Sequence, residues 1–548
     1  MPDSEDNSLE KRIIELCGKP ISKSELFSNI EEKEKNIKKA LSNLSRERKI
    51  RIFREGEETY YERVKKIELK IKVPEKIFLI FSIVVVVGLL IFYFFYYLDI
   101  APSVDEMEHL HSGWYVYRGF IPYNDFFQHH NPLLWYILAG FLSVVGESTL
   151  YLYVTRIFFF LIFVVNALLV FKISRKLYSE NISLLCSIFF LTSPFFLGLF
   201  MPRPDPLGLT FFLLSVFFFL NFKEENNYKN LLPVAVFSAV SFLAIQKSIF
   251  FIPFFLLVLF QKNSVKNRAL FASFFSVMVL IIIFSFIFFT GISFQKFVYF
   301  NYDFNLLLKQ DKTFCTSNTF IDNILIRGIQ DNVVFLAVSI FGIVLLLRNY
   351  KKEVLSLALI FFSVVLSFFT CFVFDHDFIF LDALLSIFAI GIIGSYIERF
   401  FEPKNQRYAF FVLIIFSLLA FSPHFIIENK DVFETNQGND LSFENFVKVQ
   451  DYILKNTAAN DIVYFGYWDN VFRKDLYYVW FCEPCKYSVQ ANRLNLFYES
   501  SVDLIALKRP KIIKLWRCDN EMINFLGNAG YKQASLDQNI FKCYFIRG

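Results

Sequence analysis

Long apolar runs separated by short polar breaks fill residues 77–427. Highly charged sequence precedes them (1–76), and sequence of ordinary globular composition follows (428–548). The first run, 77–98, carries no charge until Asp99. At ~1.5 Å per residue such a helix spans a hydrocarbon core of ~30 Å. The pattern predicts eleven spans: 77–98, 152–172, 182–200, 207–222, 231–246, 248–261, 269–290, 332–347, 353–374, 378–397 and 408–427. The fifth and sixth are short and read as broken helices. Run 132–145 is also apolar enough to be a span, but counting it inverts every later loop. It is read instead as an interfacial or re-entrant helix in a large first outer loop, 99–151.

Charge gives these spans a direction. Lys65, Lys66, Lys70, Lys72 and Lys76 precede the first span, and Asp99, Asp105, Glu106 and Glu108 follow it. The positive-inside rule puts the N-terminus in the cytosol. Further Lys/Arg clusters (Lys172, Arg175 and Lys176; Lys223 and Lys229; Lys262, Lys266 and Arg268; Arg348, Lys351 and Lys352; Arg399, Lys404 and Arg407) then all fall inside. The short outer turns carry only Arg203 and Lys247, and residues 428–548 fall outside. The expected location is the cytoplasmic membrane, crossed many times.

Composition agrees. Of 548 residues, 75 are Phe, 55 % are hydrophobic and 20 % charged, with mean hydropathy +0.44. A soluble chain could not bury that much apolar surface, since single cores stop growing at roughly 250–300 residues. Disorder is excluded by the same apolar content. The first apolar run lies too far from the N-terminus for a cleavable signal peptide. The expected fold class is a polytopic α-helical membrane protein with about eleven transmembrane helices.

Residues 1–76 read as a small cytosolic three-helix unit with a hairpin, resembling a winged helix over most of 8–64. Ser22, with Glu25 three residues on, marks a helix start. Ile37, Ala40, Leu41 and Leu44 form a helical stripe, and residues 50–53 and 59–61 flank a turn at Gly56. DNA binding is one reading of such a unit. Glu31, Glu32 and Glu34 dilute the basic face it needs, so a protein-contact or vestigial module is expected and no nucleic-acid partner. The outer domain, 428–548, reads as mixed α/β, with a helix over 443–456 and strands at 461–465 and 511–515. Its Cys482, Cys485, Cys518 and Cys543 are read as structural disulfides rather than a metal half-site or redox pair, with connectivity open.

Candidate chemistry gathers in the first outer loop. His109, His111, His129 and His130 lie there, with His376 and His424 on the same predicted side. Asp105, Glu106, Glu108 and Asp125 add carboxylates, interleaved with Trp114, Tyr115, Tyr117, Phe120, Tyr123, Phe126 and Phe127. A solvated loop has no use for so many aromatics, so this one is expected to pack on the membrane face, where ionisable groups imply function. Arg203 and Asp205, Gln246 and Lys247, and residues 375–377 lie on the same face. Cations and carboxylates collected there suit a lipid phosphate.

The order Asp105-Glu106, then Gly119 to Phe126, then His129-His130-Asn131-Pro132-Leu133 resembles the first outer loop of the GT-C glycosyltransferases. The nearest group contains the protein O-mannosyltransferases and the lipid A aminoarabinose transferases, with Asn131 replacing the first Pro of their His-Pro-Pro-Leu segment. The resemblance covers roughly residues 77–400. It implies transfer, with inversion, of a hexosyl or pentosyl group from a polyprenyl-phosphate donor to a hydroxyl on a protein, lipid or polysaccharide.

By position in that resemblance Asp105 is the first choice of base and Glu106 the second. Partial desolvation would raise such a carboxyl toward neutral pH. The leaving phosphate needs cations, for which Lys247, Arg203 and Arg118 are the candidates. Asp125, His129, His130 and Asp205 would orient base or acceptor. A divalent metal is compatible with Glu108 and His109, although no His pair has the i, i+4 spacing of a zincin. The alternative function is a transporter or flippase of a polyprenyl-linked lipid. Polar residues deep in several spans would favour that, whereas here the polar groups collect on one side.

Overall fold

The structure, a computed structural model, describes residues 3–46, 50–55, 58–63, 73–192, 201–225, 228–250, 265–304, 340–342, 344–345, 379–403, 405–419, 442–465, 470–476, 501–515, 520–534 and 543–547. The described chain divides into two compact units, residues 1–74 with 396–409, and residues 75–395 with 410–548.

In the first unit, α1 (Asp3–Leu16), α2 (Lys23–Ser28) and α3 (Glu34–Arg46) accompany β1 (Ile21–Ser22), β2 (Ile50–Glu55) and β3 (Glu58–Arg63). The strands form an antiparallel sheet in the order β1-β3-β2. Ser22 caps α2, its Oγ accepting the Glu25 N–H at 3.2 Å. The stripe Ile37, Ala40, Leu41 and Leu44 is buried against Ile13, Leu26, Ile50 and Tyr61. Apolar residues at helical spacing on α3, with Ile50 of β2 and Tyr61 of β3, thus supply one small core.

The second unit carries the membrane helices. Among the described residues five are long and apolar enough to cross a bilayer: α4 (Glu75–Asp99), α7 (Leu150–Leu177), Pro204–Phe222 within α9 (Pro204–Glu225), Ala272–Thr290 within α11 (Val265–Thr290), and α12 (Asp382–Phe400). Shorter apolar helices are α6 (Leu133–Val145), α8 (Glu180–Leu191), α10 (Leu231–Ala244) and α13 (Asn405–Leu419). The expected spans at 248–261, 332–347 and 353–374 lie largely outside the described residues. Helix α6 has 13 residues, about 20 Å at the usual rise, too short for a hydrocarbon core.

Between α4 and α6 stands α5 (Val104–Tyr117), buried over most of its length. Trp114, Tyr115, Tyr123, Phe126 and Phe127 of the segment after α4 are buried with Trp135, Tyr151, Phe443 and Phe472 in a single core, while Tyr117 stays exposed. Each such aromatic contributes ~1.5–3 kcal/mol by leaving water, so the loop folds as a packed layer. After it come α14 (Phe443–Asn456), α15 (Ser501–Lys508), α16 (Asn520–Asn528) and a mixed sheet of β4 (Ile462–Phe465), β5 (Lys474–Asp475), β6 (Ile512–Lys514), β7 (Tyr531–Gln533) and β8 (Tyr544–Arg547), ordered β5-β4-β6-β8-β7. Strands β4 and β6 are parallel neighbours. Cys543 is disulfide-bonded, whereas Cys482, Cys485 and Cys518 lie outside the described residues.

Candidate active site

Helix α5 organises the site by its periodicity. Ser103 caps it, Oγ accepting the Glu106 N–H at 3.1 Å. Residues 105, 108, 109 and 112 share one stripe, 106, 110 and 113 a second, and 111, 114, 115 and 118 a third, as 3.6 residues per turn dictates. Each stripe meets a different neighbour.

The first stripe holds the ionisable groups. Arg203, just before α9, brings Nη1 to 2.6 Å from Asp105 Oδ2. Its Nε lies 3.8 Å from Asp205 Oδ2 in the first turn of α9. Asp105 is about two-fifths exposed (38 %), while Arg203 and Asp205 are nearly covered. Lys247 lies in the turn Gln246–Phe250 that follows α10. Burial pushes its ammonium down to about 8, against the opposing pull of Asp205. Gly208 lets α9 approach this turn, since a Cβ there would come 2.4 Å from Ile245 Cγ2. Ser241 binds α9 through Gly208 O at 2.8 Å and binds Ser248 Oγ at 2.7 Å.

Further along the same stripe, one ligand atom each from Glu108, His129 and His130 lies within 4.8 Å of the other two. Burial, and then the charge of Asp105, pushes the Glu108 carboxyl well above its usual range. Burial holds all three imidazoles neutral, with His129 down to about 4 and His109 and His130 well below their ordinary value. Gln246 donates to His129 O at 3.3 Å, which ties the Lys247 turn to this group. Trp135 Nε1–H donates to His109 Nδ1 at 3.2 Å, so His109 is held as a neutral ring beside His130 rather than inside the trio. Gln128 donates to Ser112 Oγ at 2.6 Å and completes the stripe.

A cation suits the trio. Glu108 Oε1 is buried without a hydrogen-bond partner, and one carboxylate with two neutral imidazoles is a donor set that divalent metals accept. His130 and His129 would hold the ion with Glu108. Of the expected pair, Glu108 lies in this trio and His109 does not.

The second stripe faces α7. Arg156 grips Glu106 in a bidentate pair, Nε to Oε1 at 2.8 Å and Nη2 to Oε2 at 2.9 Å. It also donates to Tyr97 O and Ile100 O and stacks on Phe443 at 3.7 Å. Both members of the pair are buried, so this geometry gives Glu106 the work of anchoring the loop to α4 and α7. Tyr151 Oη–H donates to Leu110 O at 3.2 Å.

The remaining expected residues stand apart from these groups. Asp125 is exposed and accepts the Ile121 N–H at 2.7 Å, closing its own turn. Tyr123 in that turn has φ of +63°. Its Oη–H donates to His130 O, which fixes the histidine backbone. Arg118 is exposed on the third stripe, 3.6 Å from Glu147 and bonded to Asn460. Residues 375–377 and His424 lie outside the described residues. Arg156 was the functional group missed. Its signal was a lone cation inside an apolar run, which demands a buried partner.

Residues 129–289 match the family model described as dolichyl-phosphate-mannose-protein mannosyltransferase. The match bears out the resemblance to the GT-C membrane glycosyltransferases, on a segment that begins at the histidine pair and runs through Arg203 and Lys247. The five apolar helices among the described residues mark a multi-pass membrane protein.

Among solved structures, ArnT from Cupriavidus metallidurans in the apo state aligns over 71 % of this chain and 82 % of its own, with 9 % identity and TM-score 0.49. The same protein bound to undecaprenyl phosphate aligns over 58 % of this chain and 60 % of its own, with 12 % identity and TM-score 0.41. The apo oligosaccharyltransferase of Archaeoglobus fulgidus aligns over 80 % of this chain and 69 % of its own, with 10 % identity and TM-score 0.46. The chain thus spans 60 % of the undecaprenyl-phosphate-bound ArnT. No curated protein matches by sequence.

Proposed function

We propose that this protein moves a hexosyl or pentosyl group from a polyprenyl-phosphate donor to an acceptor hydroxyl, with inversion, at the extracytoplasmic face of the cytoplasmic membrane. The observation that carries the reading is the convergence of Asp105 in the first turn of α5, Arg203 and Asp205 at the start of α9, and Lys247 in the turn after α10. It supplies an accessible carboxylate beside two cations. Asp105 takes the proton of the acceptor hydroxyl. The acceptor oxygen bonds to the anomeric carbon as the bond from that carbon to the phosphate oxygen breaks. The electron pair leaves on the phosphate, whose charge Arg203 and Lys247 meet. Arg203 bonded to Asp105 keeps base and phosphate site adjacent. Asp205 holds the two cations in register.

A metal at Glu108, His129 and His130 would add positive charge near the phosphate. The acceptor is a protein, lipid or polysaccharide. Residues 1–76 form a cytosolic winged-helix-like unit and 428–548 an extracytoplasmic domain, as the Lys/Arg distribution supports.

The test is incubation of the purified protein with radiolabelled polyprenyl-phosphate mannose or glucose. Release or transfer of sugar supports the reading and names the donor. Binding of each lipid without turnover of any would point to a lipid transporter instead.

A further inference from the structure

The third stripe of α5 has no part in the chemistry above, yet each of its residues His111, Trp114 and Tyr115 is hydrogen-bonded to one short segment or to Glu147 beside it. His111 Nδ1–H donates to Val471 O at 2.8 Å. The N–H of Asp475 donates to Tyr115 Oη at 3.0 Å. Trp114 Nε1–H donates to Glu147 Oε1 at 2.9 Å, and Arg473 Nη1 donates to the other oxygen, Oε2, at 2.9 Å. Arg473 is nearly fully buried. Its Nε and Nη2 donate to Thr457 Oγ1 at 2.7 Å and Thr457 O at 2.9 Å, at the end of α14, and Nη1 donates also to Phe472 O. Gln450 of α14 accepts the Val471 N–H at 3.0 Å.

We infer that residues 470–475 of the outer domain are a clamp that fixes α5, with Arg473 the positioning residue that locks it through Glu147 and Trp114. Three arguments carry this. A cation this buried is costly unless fully paired, and here each donor group of the guanidinium has an acceptor. The segment meets α5 directly at 111 and 115 and, through Glu147, at 114 and 118, so it restrains rotation of α5 about its axis rather than one point on it. Rotation is the motion to which the site is most sensitive, because the stripe holding Asp105, Glu108 and His109 lies on the same helix. The outer domain is therefore a structural half of the site, and touches neither donor nor acceptor through Arg473.

The catalytic part of the inference rests on the reading of Asp105 as base, whereas the clamp itself does not. Full-length protein in detergent is compared as wild type, Arg473→Met, Arg473→Lys and Tyr115→Phe. The first readout is amide hydrogen exchange. The expected result is faster exchange over 104–117 in Arg473→Met, with α7, α9 and the outer sheet unchanged, and a smaller effect in Arg473→Lys. The second is turnover, where kcat falls ~10- to 100-fold while donor KM stays within about twofold, as expected of a misplaced base. If Arg473→Met does not fold, Tyr115→Phe, which removes one acceptor, carries the same expectation at smaller size. Unchanged exchange over 104–117, or loosening spread through every helix, overturns the clamp. If the wild type turns over no donor, the functional reading fails and exchange alone decides the clamp.

Discussion

Arg156 and Glu106 face each other as a bidentate pair with neither side chain exposed. The pair joins α7 to the first turn of α5, and Asp105 precedes Glu106 in that turn. Removing one partner of a buried pair leaves an uncompensated charge, at a cost of ~3–5 kcal/mol. Glu106→Ala is therefore expected to lower the unfolding temperature markedly in detergent. Its residual activity should follow the folded fraction. A fully folded Glu106→Ala protein without activity would return Glu106 to the chemistry.

Gly113 sits where α5 meets α6 and α7. A Cβ there would lie 2.5 Å from Leu138 Cβ and 2.9 Å from Tyr151 Oη. Leu138 Cβ cannot swing aside, so the helices must separate. Gly113→Ala is expected to destabilise by ~1–3 kcal/mol, the usual size of overpacking, measured by thermal unfolding.

Lys247 gives the donor site a pH dependence. Burial lowers its pKa to about 8, so the free site holds the charged form below that value and loses it above. Binding of the polyprenyl-phosphate sugar, a phosphodiester of constant charge, should be flat at lower pH and weaken as pH rises through about 8. Lys247→Arg should extend binding to higher pH, because a guanidinium stays charged. Lys247→Ala should weaken binding at every pH by ~10-fold or more, the worth of one charged hydrogen bond. Loss of acceptor affinity alone in Lys247→Ala would contradict the phosphate role.

The trio Glu108, His129 and His130 makes a separate expectation. Titration of the purified protein with zinc or manganese should give one binding event, lost in Glu108→Gln and in His130→Ala. His109→Ala should retain it, since that ring is committed to Trp135. Equal loss in all three variants would contradict the assignment of the ligands.

Much of this was legible in the sequence because hydrophobic period and charge act locally. Runs such as 77–98 and 152–172 correspond to α4 and α7 within a few residues. Run 132–145 became a helix of 13 residues, as reading it apart from the spans required. Arg203 and Lys247 were singled out from their setting beside apolar runs and Asp105 by its place in the resemblance, and the fold brings Asp105 against Arg203. Other features were less accessible. Arg156 was hidden inside an apolar run, and its partner Glu106 competed with Asp105 for the role of base. Nothing local announces Arg473 and Glu147, which are 326 residues apart. Asp125 looked chemical because it stood among histidines, yet its carboxylate is spent on the Ile121 N–H.

The most direct test of the central claim compares wild type with Asp105→Asn for both donor binding and sugar release from a radiolabelled polyprenyl-phosphate sugar. Asparagine keeps the shape and removes the base, so turnover is expected to fall ~100- to 10,000-fold, as for loss of a general base, with donor binding retained. Undiminished turnover in Asp105→Asn would contradict the account.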